Sequence, residues 1–328
     1  MACPRHTVAM TTARALIAPP NTSGTYHCVQ RCVRRAFLCG LDPYSGKSFE
    51  HRKDWVEARL IHLADQFAVA LLGYAVMANH LHVVLHVDPK AATLWSDDEI
   101  ARRWLALFPP RGDASEIEFK HSILIGNPER LAQCRQRLGS LSWFMRCLAE
   151  PIARQANAED QVTGRFWQGR YRCQALLDER AVLAALAYVD LNPIRTGITT
   201  RLDRSAHTSV QRRIADAAKQ PAQLSQPLRS MAGLVAPCLP LTLADYLQLV
   251  DWTGRQMRPD KRGAISNHAP SILSRFDAAP ERWATEVRGV GSSYWRAIGT
   301  ANELIALAES LGQRWLKGLN FARGLARS

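Results

Sequence analysis

The sequence predicts a protein of the α/β (α+β) class: a strand hairpin with further strand and helix segments around it, followed by a helical C-terminal region. Three observations lead there. Two apolar, β-branched runs, VALLGYAVM and HLHVVLHV, flank Ala78 and Asn79 and read as adjacent strands joined by a tight turn. Just before them, in FEHRKDWVEARLIHLADQFA, the residues Trp55, Ala58, Leu60, Ile61 and Ala64 recur near helical spacing. Beyond residue 240 the patterns LTLADYLQLVDWTGRQM, SILSRF and ANELIALAESLGQRWLKGL are helical again.

Taken in order, residues 1–24 hold small, polar and proline residues without periodicity and are expected to form a loose lead. TYHCVQRCV reads as a strand with Arg31, Arg34 and Arg35 beside it, and LDPYSGKS as a loop before the first helix. Residues 87 to about 138 are expected to be an insertion. It would begin with a helix in DDEIARRWLALF, stopped by Pro109 and Pro110, and continue as a charged stretch up to the helix in LGSLSWFMRCLAEPIARQ. RFWQGRYRCQALL should run as loop and strand. Asp178 can then cap the helix ERAVLAALAYVDLN, which Pro193 ends. The expected organisation is one domain over residues 25–200, a polar, proline-interrupted linker over 201–240 and a separate helical region over 241–328. No internal repeat is present.

At 328 residues, 47% hydrophobic and 22% charged, the chain has a globular rather than a disordered composition. No window reaches about 18 consecutive apolar residues, and the N-terminus lacks the pattern of a cleaved signal, which places the protein in the cytoplasm and off the membrane. Forty-two Lys and Arg against 29 Asp and Glu give a formal charge of +13. That field attracts polyanions, nucleic acid foremost, although a basic surface can also serve solubility alone. The eight cysteines form no CxxC pair and are too sparse for a disulfide scaffold, so reduced thiols are expected. His27, Cys28 and Cys32 lack a second ligand pair at finger-like spacing and do not make a zinc site.

Side chains two apart on a strand share a face, so His80 and His82 project together and could hold one cation. His86 has the same parity but lies about 13 Å from His82 at ~3.3 Å per residue, too far for the same ion. A further protein ligand could come from the helix that ends at Asn192. At about 100° per residue, Ala181, Ala184, Ala185, Tyr188 and Asn192 share one face, leaving Tyr188 the one large residue on an alanine stripe. Each feature also has a plain structural reading: hydrogen-bonded core histidines, a buried tyrosine with a bonded hydroxyl, and an Asn-Pro helix terminator.

Together, YHCVQRCVRRAFLCG, GYAVMANHLHVVL with its His-hydrophobic-His motif, and GRFWQGRYRCQALL followed by AYVDLNPIRTGI resemble a known family. It is the HUH single-strand transposases with one catalytic tyrosine, of the insertion-sequence-200-like group, and in particular the REP-associated tyrosine transposases. The resemblance spans about residues 25–200. It implies a central antiparallel sheet flanked by helices, ferredoxin-like or RRM-like, with the histidines on its middle strand. It further implies Mg²⁺ or Mn²⁺ held by His80, His82 and Asn192, with Tyr188 as nucleophile. Elements of the insertion-sequence-200 type often carry glutamine on the tyrosine helix, so the role of Asn192 follows the REP-associated branch. The implied activity is cutting and rejoining of single-stranded or hairpin DNA through a 5′-phosphotyrosine, in DNA transposition at the bacterial nucleoid. Arg31, Arg34, Arg35, Arg165, Arg170, Arg172 and Arg195 flank the blocks as candidate phosphate contacts, with Phe166, Trp167 and Tyr171 as candidate stacking surfaces.

Tyr171 is a rival nucleophile, but four residues on it has Ala175 rather than Asn or Gln. Two other functions compete: a domesticated protein that binds nucleic acid without cutting, and a rolling-circle or relaxase-type nickase. Many of the latter carry a second tyrosine one helical turn on, where this chain has Asn192. Monomer and homodimer are both compatible with the sequence.

Overall fold

The computed structural model describes residues 16–33, 38–42, 46–235, 237–257 and 269–326. β1 (Gly24–Arg31) is followed by α1 (Arg52–Gln66) and then by the expected hairpin of β2 (Val69–Val76) and β3 (His80–Val87). Met77 N donates to His80 O at 2.9 Å and closes the turn around Ala78 and Asn79. β2 is buried along its whole length, which is why its sequence is apolar without alternation.

The insertion is helical throughout: α2 (Pro89–Leu94), α3 (Asp97–Leu107), α4 (Ala114–Ile125) and α5 (Pro128–Leu138), leading into α6 (Leu141–Glu159). Here the expected charged stretch is two capped helices. Asp113 accepts from Ser115 N and Glu116 N, and Asn127 accepts from Arg130 N. ASEIEFKHSILI of α4 hid its helix because its apolar residues lie all round, leaving Ile117, Phe119 and Ile123 exposed.

β4 (Arg172–Leu176) leads into α7 (Glu179–Asp190), whose N-cap is Asp178: its Oδ1 accepts from Ala181 N at 2.7 Å. Pro193 does not end helical structure outright but opens a further turn, α8 (Asn192–Arg195). Next come α9 (Ser209–Lys219), β5 (Pro227–Arg229), β6 (Ala232–Gly233) and β7 (Pro237–Thr242). The chain finishes with α10 (Leu243–Met257), α11 (Ile272–Arg275), α12 (Pro280–Ser292), β8 (Ala297–Ile298), α13 (Ala301–Ser310) and α14 (Leu319–Ala326).

One six-stranded sheet has the order β6-β2-β3-β1-β4-β8. Every pairing is antiparallel except that of β4 with β8, so the expected antiparallel sheet carries one parallel edge. Val29 lies opposite His82, and His27 opposite both Val84 and Gln174. His27, His80, His82, Arg172 and Gln174 therefore share one face of the sheet. α7 packs on that face, while α1 and α6 cover the other, where the Phe67 and Phe144 rings meet at 5.5 Å.

The stretches expected as linker and separate region are built into this sheet. β6 pairs with the outer edge of β2, and at Gly233 (φ +82°) any Cβ would overlap the main-chain oxygens of Val69 and Ala64. At the end of α7, buried Asp190 accepts from Ser209 Oγ at 2.5 Å, Val210 N at 3.0 Å and the Tyr246 hydroxyl at 2.5 Å. These bonds fasten α7 to α9 and α10. On its remaining side α7 meets α12, whose fully buried Trp283 donates to Thr253 Oγ1 at 2.8 Å.

Candidate active site of histidines and a tyrosine

The hairpin and α7 deliver the candidate residues to one place. His80 and His82 stand edge to face, with ring centroids 4.8 Å apart. Tyr188 sets its ring edge against His82 at 5.6 Å, and Asn192 Nδ2 lies 2.9 Å from His82 Nε2. His80 Nδ1 is 2.6 Å from Asn79 Oδ1; since that oxygen can only accept, the ring donates through Nδ1 and keeps its lone pair on Nε2. His86, further along the same face of β3, is engaged by Thr25 Oγ1, 3.0 Å from its Nδ1.

Sequence reasoning missed two members of this cluster. His27 lies parallel to His82 at 5.1 Å between centroids, with His27 Nε2 and His82 Nδ1 2.9 Å apart. Behind it, Gln174 Oε1 is 2.9 Å from His27 Nδ1, and Gln174 Nε2 donates to Val290 O at 3.2 Å. The only sequence signal was parity: His27 and Gln174 face the same way as His82 once the register is known, and the register is not written in the sequence.

Burial keeps these imidazoles uncharged. It pulls His27 down to about 4, with the nearby Arg172 charge adding and the Gln174 hydrogen bond opposing. His80 is likewise pulled to about 4 by burial, aided by Arg31 and Arg195. His82 is held well below its ordinary value, first by burial and then by its histidine neighbours. Neutral imidazoles are the form in which histidine can ligate a cation. Among the described residues no three His, Cys, Asp or Glu side chains are grouped for a metal ion. The donor set is thus two imidazoles and an amide. It could hold a divalent ion only with the Asn192 amide turned so that its oxygen faces the imidazoles, since as placed Nδ2 faces His82 Nε2 and Oδ1 lies 3.5 Å from Arg195 Nη2.

Tyr188 is 6% exposed, and its hydroxyl accepts from Arg195 Nη2 at 3.0 Å. The Arg195 guanidinium also lies over the Tyr188 ring, 4.7 Å from its centroid. Arg195, expected as a DNA contact, thus also touches the candidate nucleophile. Gly291 of α12 lies against the same hydroxyl, where a Cβ would overlap it.

Of the remaining candidates, Arg31 is exposed and lies opposite His80 in the β1–β3 register. Arg165 and Arg170 are exposed on the loop bound to the end of β1 through Gln168 N and Arg31 O, 2.8 Å apart. Arg172 donates from Nη2 to Tyr294 O at 2.9 Å and, with Lys317, borders the half-exposed indole of Trp295. Trp295 is an aromatic surface that helical patterning gave no reason to single out. Trp167 is partly buried, its N–H donated to Ala149 O at 2.8 Å, and Phe166 is core. Tyr171 falls on the opposite face of the sheet, its hydroxyl 3.4 Å from Ser142 Oγ of α6. Arg34 and Arg35 lie outside the described residues.

No family model matches the chain, and no curated protein does. Among solved structures it is similar to a REP-associated tyrosine transposase bound to a REP hairpin. That match has 13% identity and a TM-score of 0.35, and covers 58% of this chain and 79% of the other.

Proposed function

We propose that the protein cuts and rejoins single-stranded DNA, hairpin DNA in particular, with Tyr188 as nucleophile, as the REP-associated transposases it resembles in sequence would do. The observation that carries this reading is the meeting of parts far apart in the chain. Tyr188 packs on His82, Asn192 reaches His82 Nε2, and Arg195 donates to the Tyr188 hydroxyl.

In this reading the phenol oxygen of Tyr188 attacks phosphorus and the bond to the 3′ oxygen breaks. The products are a 5′-phosphotyrosine and a 3′-hydroxyl, with the phenol proton passing to solvent and the leaving oxygen taking one up. Arg195 donates to that phenol oxygen and holds it in place. His80, His82 and Asn192 would hold a divalent ion, Mg²⁺ or Mn²⁺, which when bound polarises the phosphate and orients it for in-line attack. Arg31, Arg165, Arg170 and Arg172 supply positive charge for the DNA backbone.

A second reading, binding without cutting, is favoured by one observation: Tyr188 is buried and its hydroxyl packs so close to Gly291 of α12 that no Cβ fits between them, leaving little room for a phosphate on that side. A labelled hairpin oligonucleotide incubated with Mg²⁺ or Mn²⁺ separates the two. Cleavage should yield a covalent protein–DNA adduct that Tyr188→Phe abolishes while leaving fold and DNA affinity intact. Adduct formation by the phenylalanine variant would remove Tyr188 from the mechanism, and binding without any adduct would favour the second reading.

A further inference from the structure

We propose that His27 and Gln174 are positioning residues that hold His82 as its Nδ1–H tautomer, with the Nε2 lone pair turned into the site. This rests on reading the histidine pair as a cation site, and it adds a buried relay behind that pair.

The relay can be followed donor by donor from the main chain. Val290 O can only accept, so the Gln174 nitrogen facing it at 3.2 Å donates, and Gln174 Oε1 is turned to His27. That oxygen can only accept, so His27 Nδ1, 2.9 Å away, carries the hydrogen. A neutral imidazole has one N–H, which leaves His27 Nε2 an acceptor, and His82 Nδ1 at 2.9 Å must donate to it. The lone pair of His82 is then on Nε2, the nitrogen 2.9 Å from the Asn192 amide. Each step follows from the one before, and a backbone carbonyl sets the direction of the whole chain.

Packing protects the arrangement. His27 and Gln174 are each 1% exposed, so bulk water offers neither of them a competing partner. The two rings lie within 11° of parallel, which keeps their in-plane nitrogens facing each other. Asn79 does the same for His80 through Nδ1, so both imidazoles present the same nitrogen, Nε2. Ligating histidines usually give their second N–H to a fixed acceptor, and removing that acceptor costs about 10–100-fold in metal affinity.

Long-range ¹H–¹⁵N NMR of the imidazoles in the metal-free full-length protein reads the tautomers directly. His27 and His82 are both expected in the Nδ1–H form; an Nε2–H His82 overturns the proposal without reference to any activity. A Mn²⁺ titration followed by electron paramagnetic resonance supplies the second arm. His27→Phe keeps a ring but removes the acceptor, and should bring up the Nε2–H form of His82 and weaken Mn²⁺ binding by about tenfold or more. Gln174→Met removes the acceptor behind His27 and should let the Nε2–H form of His82 appear beside the Nδ1–H form. Wild-type Mn²⁺ affinity in a folded His27→Phe protein overturns the positioning role. A wild-type protein that shows the Nδ1–H tautomer yet binds no Mn²⁺ supports the relay and removes the cation reading of the site.

Discussion

Replacing the buried imidazole of His27 should make the protein more resistant to acid. In the folded state burial holds this group at about 4, against 6.5 for an exposed histidine. Between those values the unfolded chain binds a proton that the folded chain refuses, so stability is lost as pH falls from about 6.5 to about 4 and no further loss comes from this group below that. At ~1.4 kcal/mol per pH unit the interval is worth about 3 kcal/mol. His27 and His82 share a hydrogen bond, so the proton taken up belongs to the pair. Urea unfolding of the wild type and of His27→Gln, at about pH 7 and about pH 4 with a chelator present, isolates the effect, because protonation of the carboxylates is common to both proteins. The variant should lose less stability on acidification by about 2–3 kcal/mol. Parallel curves of stability against pH would refute the assignment of a buried, uncharged His27.

Three more outcomes are expected. Chelation, or His80→Ala combined with His82→Ala, should stop cleavage while most DNA affinity survives, since arginines supply the charge; cleavage that persists in chelator would remove the ion from the mechanism. Gly291→Ala drives a methyl into the Tyr188 hydroxyl, at about 1–3 kcal/mol for overpacking against a helix-propensity gain of up to ~1 kcal/mol. Net destabilisation in chemical unfolding is therefore expected, and a stabilised protein would mean that α12 is not seated on the hydroxyl. Arg170→Ala should make the slope of log K against log salt shallower by about 0.7 on single-stranded DNA and weaken different sequences equally, so an unchanged slope would take Arg170 off the phosphate backbone.

The hairpin was legible because its residues are unambiguous: VALLGYAVM and HLHVVLHV are β-branched and too short for helices, and the parity of His80 and His82 follows from strand geometry alone. Asp178 as cap and Tyr188 on the alanine stripe were legible for the same reason, since both depend on local periodicity. What stayed hidden depends on register. Nothing near Thr25 in the chain says that His27 will sit opposite Val84 and Gln174, so His27 looked like a neighbour of Cys28 instead of a partner of His82. Two-residue strands such as Ala232–Gly233 and Ala297–Ile298 have no alternation to detect, which made the segments holding them look like linker and appendage. The contact of Arg195 with Tyr188 was likewise not read from the sequence, because it depends on the turn opened by Pro193, which brings the guanidinium over the ring.

The position of the sheet's edges in the chain bears on how the protein is made. β6 and β8 are synthesised last among the sheet strands, yet they complete the two outer sides of a sheet begun at Gly24. Asp178, which starts the tyrosine helix, also accepts from Thr300 N at 2.8 Å, and the relay behind His82 ends on Val290. At ~5–20 residues per second, a ribosome takes several seconds to extend the chain from Asn192 to Thr300. Throughout that interval the nascent protein carries Tyr188, His80 and His82, with the last anchors of their framework still to be translated.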